Sequence, residues 1–367
     1  MSTSFDVIVV GGGALGAACA RELAHGGRRV LVLERGGEIG QAWRAAAGML
    51  APQITSAEHE PLYELGVASR ERYGALAPEL LESTGIDIGL WREGIGRIAS
   101  DDGEAEALRD AVAAQRQQGH RSDWLDAGEV RERWPWVRNA VGAHWAPLDG
   151  ALDPARLISA LLADAVGHGA MVREATATRI EREGGRVTGV IADDRYVADD
   201  IIIAAGAWSG RIEGLPRPLS VEPVRGQIAA LAWPEGVRPA ILFQGESYLV
   251  ARSGEALLGS TMEYAGFDAS VSEAGQQRIW ANARNLSPTP APARPTRTWA
   301  GLRPVTPDGL PLIGPAPDLE HLWYATGHGR NGILLAAVTA MLIHQMIQGE
   351  PVHEHVGAFA PARMWRW

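Results

Sequence analysis

A glycine-rich turn near the start of the chain limits the possible folds more than any other feature. Gly11, Gly13 and Gly16 are spaced G-x-G-x-x-G directly after the apolar run of residues 5–10. We predict a helix over residues 14–25 and a second strand over residues 29–33, with Glu34 at its end. The glycines let the backbone approach a pyrophosphate, the helix N-terminus attracts its charge, and the acid accepts hydrogen bonds from a ribose. The sequence therefore predicts a dinucleotide site in a βαβ unit.

Two later segments favour FAD as that dinucleotide. Residues 41–52 read QAWRAAAGMLAP, a run of small side chains in which backbone can lie flat against a large cofactor. Residues 200–204 form another apolar strand that runs into Ala205 and Gly206, where backbone can touch the dinucleotide again. A second glycine fingerprint does not follow any predicted strand. We therefore expect one cofactor, FAD, and a substrate that meets it directly.

Composition excludes several classes of function. The formal net charge of −10 at pH 7 argues against a nucleic-acid partner, because phosphate binding needs a basic face. The only cysteine, Cys19, excludes an intrachain disulfide and favours a reducing compartment. The sequence has no lysine, so mechanisms that use a Schiff base are excluded. The apolar run of residues 333–347 is shorter than the roughly 20 residues that span a bilayer, so we expect a cytoplasmic protein without a membrane anchor.

The sequence predicts no metal site. His353 and His355 are two residues apart near the end of the chain, a spacing more typical of solvated side chains. A structural zinc site would need more ligands at the spacing of a known motif.

The remaining elements suggest two domains. Strand patterns cover residues 85–100, 172–191 and 221–261, with a β-meander at 172–191 that turns at Gly184 and Gly185. Helices are predicted over residues 101–118, from Asp126, over 153–168 and over 272–286. We predict an α/β plus α+β fold, in which an antiparallel-sheet substrate domain is inserted into a Rossmann-type FAD-binding domain. The FAD-binding domain is expected at residues 1–84, 151–220 and 300–367, and the substrate-binding domain at 85–150 and 221–299.

On these residues the chain resembles the D-amino-acid oxidase superfamily of FAD-dependent oxidoreductases, and within it the glycine oxidase branch linked to thiamine biosynthesis. The resemblance covers nearly the whole length. It rests on the glycine fingerprint with Glu34, on AAAGML at residues 45–50, on AGAW at 205–208, on WAGLRPVTPDGLPLIG at 299–314 and on GHGRNGILL at 327–335. It implies non-covalent FAD, since Cys19 is far in sequence from the C-terminal flavin loop, and it implies a homo-oligomer.

The resemblance also implies roles for single residues. Arg303 would clamp the substrate carboxylate, Tyr248 would assist it, Met262 would form a wall of the substrate pocket, and Arg330 would be a second basic residue beside flavin and substrate. Taken alone, an arginine is more often part of an ion pair and a tyrosine more often part of a core, and only the motif context favours these roles. The complete set of residues expected to contact FAD is Gly11, Gly13, Ala14, Leu15, Gly16, Glu34, Arg35, Ala42, Trp43, Ala47, Gly48, Met49, Thr178, Gly206, His328, Gly329, Arg330, Asn331, Gly332, Ile333 and Leu334.

The predicted reaction is oxidation of the C–N bond of a small amino acid or secondary amine. A hydride passes from the substrate Cα to flavin N5, and O2 is the oxidant, which gives glyoxylate, ammonia or an amine, and hydrogen peroxide. Glycine or an N-substituted glycine is the expected substrate. Gly329 stands where relatives often carry an aromatic residue, which leaves room for an N-substituent. Trp43 and Arg44 stand where the family often has small hydroxyl residues.

Three alternatives stay open on the sequence. The first is an oxidase of a bulkier N-carboxymethyl amine or of a D-amino acid. The second is a dehydrogenase of the same fold that uses an acceptor other than oxygen. The third is a flavin-binding subunit without catalysis of its own.

Overall fold

The computed structural model describes residues 4–37, 39–55, 60–252, 254–288, 294–352 and 354–365. The expected solvated position of His353 lies outside the described residues, as does the side chain of His355. The strands are β1 (Ser4–Val10), β2 (Val30–Glu34), β3 (Met49–Leu50), β4 (Ile95–Ala99), β5 (Asp123–Asp126), β6 (Gly142–Ala146), β7 (Gly150–Ala151), β8 (Met171–Glu174), β9 (Arg179–Glu183), β10 (Arg186–Ile191), β11 (Arg195–Ile203), β12 (Glu222–Ala232), β13 (Ile241–Gln244), β14 (Ser247–Arg252), β15 (Glu255–Gly259), β16 (Arg297–Val305), β17 (Leu312–Pro315) and β18 (Leu322–Thr326). The helices are α1 (Ala14–His25), α2 (Pro52–Thr55), α3 (Glu60–Thr84), α4 (Asp102–Gln117), α5 (Ala127–Arg133), α6 (Pro154–Gly167), α7 (Glu273–Ala283) and α8 (Gly332–Gln348), with 3₁₀ turns at Ala42–Ala45, Gly206–Arg211, Glu354–Phe359 and Pro361–Trp365.

The first sheet, sheet A, has a parallel centre. Strands β8, β2, β1, β11 and β18 lie in this order, and each is parallel to the next. Strand β17 is antiparallel to β18 at one edge, and the β9–β10 hairpin extends from β11. The carboxyl ends of four adjacent parallel strands, β2, β1, β11 and β18, therefore meet at one edge of the sheet, which is where α/β folds bind their ligands.

Both faces of sheet A are covered. Val7 and Val9 of β1 belong to a core that also contains residues of α1, α3, α6 and α8. Ile8 and Val10 face the other way, into a core shared with Ile180 of the β9–β10 hairpin. This double burial explains why the strands read as continuous apolar runs rather than as alternating patterns.

The second sheet, sheet B, is largely antiparallel. Its order is β16, β12, β15, β14, β13, β4, β6, β5, and every neighbouring pair is antiparallel except β13 and β4. One face packs Ile228 and Tyr248 against Ala47 and Ile54, from the segment that follows β2. The other face is covered by α5 and α7. Sheet B thus presents one face to the segment that follows β2 of sheet A.

Aspartates start three of the predicted helices. The Asp101 carboxylate accepts from the Glu104 N–H, Asp126 forms a capping box with Glu129, and Asp153 caps the helix that begins at Pro154. These caps satisfy N–H groups that the first turn of a helix leaves free. The predicted helices at these positions are confirmed, as are α1 and α7, although α7 ends at Ala283, three residues before its predicted end.

Two strand predictions are wrong in part. The expected meander at residues 172–191 contains a hairpin, β9–β10, with Gly184 and Gly185 at its turn, but β8 pairs with β2 in parallel and not with β9. In the segment 85–100, only Ile95–Ala99 forms a named strand. The sequence also gave no prediction for α3, whose Ser69 and Tyr73 hydroxyls donate to carbonyls in the first turn of α8.

Strand β16 crosses an expected domain boundary. It runs from Arg297 to Val305 and pairs along its length with β12 in sheet B, so residue 300 lies inside a strand. Pro304 is tolerated there because β16 is an edge strand. The division into two domains stays a prediction. The described helices include none that is long and apolar enough to cross a membrane.

Candidate active site

A cavity of about 540 Å³ lies between the carboxyl edge of sheet A and the inner face of sheet B. Its wall on one side comes from the loops after β1, β2, β11 and β18, and on the other from β12, β14 and β16. This volume is within the roughly 300–1,000 Å³ of typical small-molecule sites. All the predicted FAD contacts except Gly16 line it: Gly11, Gly13, Ala14, Leu15, Glu34, Arg35, Ala42, Trp43, Ala47, Gly48, Met49, Thr178, Gly206, His328, Gly329, Arg330, Asn331, Gly332, Ile333 and Leu334.

Gly16 contributes through packing instead of contact. A Cβ at this position would lie 1.8 Å from the carbonyl oxygen of Gly11, so only glycine lets α1 approach the end of β1 this closely. This is the third glycine of the fingerprint, whose role is close packing of helix on strand. It places the N-terminus of α1 beside the cavity.

Glu34 is held at the end of β2 by neighbours from both sides. Its Oε2 accepts from the Gly12 N–H at 2.6 Å, and its Oε1 accepts from the Gln41 side-chain amide at 3.1 Å. The carboxylate is therefore fixed where a ribose would reach it. Trp43 lines the cavity, and the Arg44 guanidinium lies 4.4 Å from the centre of its ring.

The loop after β18 and the N-terminus of α8 form another part of the wall. His328 is buried, and its Nε2 lies 3.0 Å from the Thr339 hydroxyl. Burial lowers the pKa of His328 to about 3, so the ring is neutral at physiological pH. Positive potential on this side comes instead from the helix N-terminus and from Arg330, whose guanidinium donates to the Thr55 carbonyl at 3.1 Å.

Arg303 projects from β16 into the cavity. Its two terminal nitrogens donate to the Thr261 carbonyl at 3.0 Å and to the Ser260 hydroxyl at 2.8 Å. Burial lowers its pKa, and the nearby charge of Arg330 adds to that effect. Among the described residues no aspartate or glutamate forms an ion pair with Arg303. Because an arginine side chain stays protonated in proteins, the cavity contains a cation in need of an anion.

Tyr248 lies close to this arginine on β14. Burial raises the pKa of its phenol, while the charge of Arg303 and an interaction with the Ser260 hydroxyl act in the opposite direction. The phenol is therefore neutral and can donate a hydrogen bond. Arg303, Tyr248 and Ser260 form one polar group at the sheet B side of the cavity, which we call the carboxylate clamp after the role that the resemblance implies for Arg303.

The structure does not bring Met262 to the cavity. Its side chain is 61% exposed, and it is absent from the cavity wall. Strand β15 ends at Gly259, and the chain then turns back so that Glu263 pairs with Arg225. Ser260 occupies the wall in place of Met262.

Thr178 lines the cavity, but its backbone is already paired. Its N–H donates to the Ile191 carbonyl at 2.8 Å, and its carbonyl accepts from the Glu213 N–H at 2.9 Å. Thr178 is among the residues expected to contact FAD, and a contact between the protein backbone and the adenine of FAD would here have to come from a neighbour. Thr176 lines the same part of the wall.

Sequence reasoning missed several residues of the wall, among them Ser260, Gly226, Phe243 and Glu246. Glycines inside strands were the available indication, since they often mark a close approach of other groups. A Cβ at Gly226 would lie 2.1 Å from an Arg303 nitrogen, and one at Gly259 would lie 2.2 Å from the Tyr248 oxygen. Both glycines make space for the carboxylate clamp.

Comparison with known families agrees with this geometry. The model of the family described as FAD dependent oxidoreductase matches residues 6–346. The chain belongs to that family. FAD is therefore its cofactor, and the site fits it: Glu34 is fixed beside the N-terminus of α1, and the space around Gly206 and Gly329 is open.

Individual relatives indicate which kind of FAD-dependent oxidoreductase this chain resembles. Glycine oxidase of Geobacillus kaustophilus is 35% identical over 371 residues, which cover 99% of this chain and 98% of that protein. The crystal structure of glycine oxidase from Geobacillus kaustophilus has a TM-score of 0.91 at 34% identity, with 98% of each chain covered. The bifunctional protein ThiO/ThiG of a Synechocystis species is 34% identical and covers 99% of this chain and 54% of that protein. The structure of iminodiacetate oxidase from Chelativorans sp. BNC1 has a TM-score of 0.88 at 26% identity, with 97% and 98% covered.

These likenesses confirm the predicted fold class and the resemblance to the glycine oxidase branch. The protein is a glycine oxidase-like, FAD-dependent amino-acid oxidase.

Proposed function

We propose that this oxidase acts on glycine or an N-substituted glycine, with Arg303 as the residue that binds the substrate carboxylate. The proposal rests on Arg303, which has no carboxylate partner among the described residues and donates only to the Thr261 carbonyl and the Ser260 hydroxyl there. Its planar fork matches a carboxylate, and a bidentate pair would compensate its charge. FAD, when bound, supplies the hydride acceptor, and we propose that O2 reoxidises it with release of hydrogen peroxide.

The chain's own residues orient and shield the substrate. Tyr248, as a neutral phenol, donates a further hydrogen bond to one of the two carboxylate oxygens. Arg330 and the N-terminus of α8 provide positive potential that favours negative charge in the cavity. The positive charges of Arg303 and Arg330 disfavour an ammonium group in the cavity, so we expect the substrate amine to bind unprotonated.

Non-covalent binding of FAD is supported by the position of Cys19. This thiol is fully buried in α1, and burial raises its pKa, which keeps it protonated and unreactive. It does not line the cavity. We also propose that Thr176, and not Thr178, offers its backbone to adenine, because the Thr178 backbone is paired within the protein.

Space near Gly329 supports substrates with a substituent on nitrogen. Its φ of +54° is a conformation that side chains rarely allow, and a Cβ there would meet no atom within 4 Å. One relative of the same fold is named as an iminodiacetate oxidase, and iminodiacetate is an N-carboxymethyl glycine. Oxidation of a bulkier N-carboxymethyl amine is therefore the second candidate.

A peroxide-coupled assay tests these proposals. Purified holoenzyme would be compared on glycine, sarcosine, iminodiacetate, D-alanine and D-proline, and we expect the first three to be preferred. Arg303→Ala should raise KM for each carboxylate substrate about 100-fold, because a charged hydrogen-bonded pair contributes roughly 3 kcal/mol. Arg297→Ala is the matched control, since Arg297 lies on the same strand in an exposed pair with Glu255.

Several outcomes would contradict the proposal. An unchanged KM in Arg303→Ala would show that Arg303 does not bind the substrate carboxylate. A preference for D-alanine or D-proline would place the enzyme among D-amino-acid oxidases. Substrate-dependent bleaching of the flavin without peroxide under air would identify a dehydrogenase. Absence of bleaching with every substrate would favour a subunit without catalysis.

A further inference from the structure

Glu246 differs from the other acidic residues of the cavity wall in having no partner. The described part of the wall contains three glutamates and no aspartate. Glu34 accepts from the Gly12 N–H at 2.6 Å. Glu213 forms an ion pair with Arg179 at 2.7 Å. The Glu246 carboxylate is exposed and has no ion pair or hydrogen bond among the described residues, so it is available to a ligand.

A tight turn holds Glu246 in place. Gly245 and Glu246 form the two-residue connection between β13 and β14, and Gly245 has a φ of +53°. The residues on either side of this connection, Gln244 and Ser247, pair with each other. The Gln244 side chain also donates to the Ser100 hydroxyl at 2.7 Å, which ties the turn to the end of β4. The backbone of Glu246 is therefore fixed from both sides.

Glu246 lies at the outer end of the same wall as the carboxylate clamp. Both Glu246 and Tyr248 line the cavity, but Tyr248 is buried whereas Glu246 is exposed. Their Cα atoms are at most about 7 Å apart, which is the span of two extended residues. Phe243 lines the wall beside them, with its ring centre 5.8 Å from that of Tyr248. A small molecule held at the clamp can therefore reach Glu246.

The charged residues of the wall are divided between its two sides. Arg330 follows β18 of sheet A and donates to the Thr55 carbonyl at 3.1 Å. On the sheet B side, the described charged residues of the wall are Arg303 and Glu246. A substrate that lies along sheet B thus meets a cation at its inner end and an anion at its outer end.

We propose that Glu246 selects glycines whose N-substituent carries a positive charge, an inference that rests on the proposed function. Arg303 would bind the carboxylate, and Glu246 would attract the cation, because charges of opposite sign are then matched at both ends. In N-(2-aminoethyl)glycine the carboxylate carbon and the terminal ammonium are roughly 6 Å apart, which suits this spacing. A second carboxylate at the same position, as in iminodiacetate, would be repelled and bound more weakly than a neutral analogue.

Steady-state kinetics of the holoenzyme with the peroxide-coupled assay test this inference on substrates that differ in charge. N-(2-aminoethyl)glycine, N-propylglycine and iminodiacetate carry a positive, a neutral and a negative substituent, and glycine carries none. Glu246→Gln should lower kcat/KM for the first about fivefold, raise it for iminodiacetate about fivefold and change it least for N-propylglycine. Because the effect is electrostatic, it should become smaller in about 1 M salt.

Glu235→Gln is the matched control. Glu235 also lies in an exposed turn beside a glycine, Gly236, but it does not line the cavity. This variant should have the wild-type kcat/KM for all four substrates.

The inference is overturned if Glu246→Gln changes kcat/KM for every substrate by the same factor, or changes it for none. In both cases, oxidation of glycine by the wild-type protein would leave the proposed function standing. A wild-type protein that oxidises none of the four substrates would overturn the proposed function, and this inference with it.

Discussion

Arg303 is held by two oxygen atoms, and only one of them belongs to a side chain. The Thr261 carbonyl is part of the backbone, whereas the Ser260 hydroxyl can be removed by mutation. The same hydroxyl interacts with Tyr248. We therefore propose Ser260 as a positioning residue, which would act on the substrate through both of its neighbours.

Ser260→Ala should raise KM for glycine-type substrates about tenfold and change kcat less. One lost hydrogen bond of this kind costs roughly 1–1.5 kcal/mol, and its effect falls on Arg303, the residue proposed to bind the carboxylate. Steady-state kinetics with the peroxide-coupled assay would measure both constants. Ser260→Thr keeps the hydroxyl and should restore KM. If Ser260→Ala and wild type have equal KM, the clamp does not depend on this residue.

At the scale of single elements, α1 connects the cofactor site to the core. Its small residues pack against β1 and β2, and Gly16 allows the closest approach, to the Gly11 carbonyl. A shift of α1 would move both the glycine turn and the helix N-terminus relative to Glu34. Binding of FAD should therefore be sensitive to a single added methyl group at this position.

Gly16→Ala should release FAD and lower the melting temperature. A Cβ placed 1.8 Å from a backbone oxygen forces the helix away from the strand, and overpacking of this kind costs roughly 1–3 kcal/mol or more. The ratio of flavin to protein absorbance measures retained cofactor. Gly167→Ala is the control, since a Cβ at the end of α6 would meet no atom within 4 Å. Full retention of FAD in Gly16→Ala would show that α1 tolerates the shift.

The elements also show what the sequence can and cannot predict. The βαβ unit was predictable because glycines, apolar runs and Glu34 act through neighbours in the chain. Strand β8 was recognisable as a strand, but its partner β2 is far away in sequence, and local patterns do not specify partners. Local sequence patterns do not predict the carboxylate clamp either. Arg303 and Tyr248 came only from resemblance, and Ser260 meets them through the pairing of β12, β14, β15 and β16.

At the scale of the whole molecule, a buried polar network connects the helical layer to sheet B. Arg70 of α3 donates at 2.7 Å both to Asp149, which lies between β6 and β7, and to Gln53 of α2. Gln53 in turn exchanges hydrogen bonds with Gln115 of α4. All four side chains are buried. Since Thr55 at the end of α2 accepts from Arg330, this network also supports one wall of the active site.

Arg70→Met should destabilise the protein by about 3 to 5 kcal/mol near neutral pH, because it leaves Asp149 buried without its cation. Burial already raises the pKa of Asp149 to about 7, although Arg70 acts against it, and loss of Arg70 should raise this pKa further. The native state then holds a proton that the unfolded state releases near pH 4, so stability falls as pH rises from about 4 to above 7. Urea unfolding at pH 5 and pH 8 should therefore show that Arg70→Met loses more free energy of unfolding, relative to the wild type, at pH 8.

The double variant Arg70→Met/Asp149→Asn removes the titrating group and should lose that pH dependence. If Arg70→Met loses the same free energy of unfolding at both pH values, Asp149 does not carry the effect.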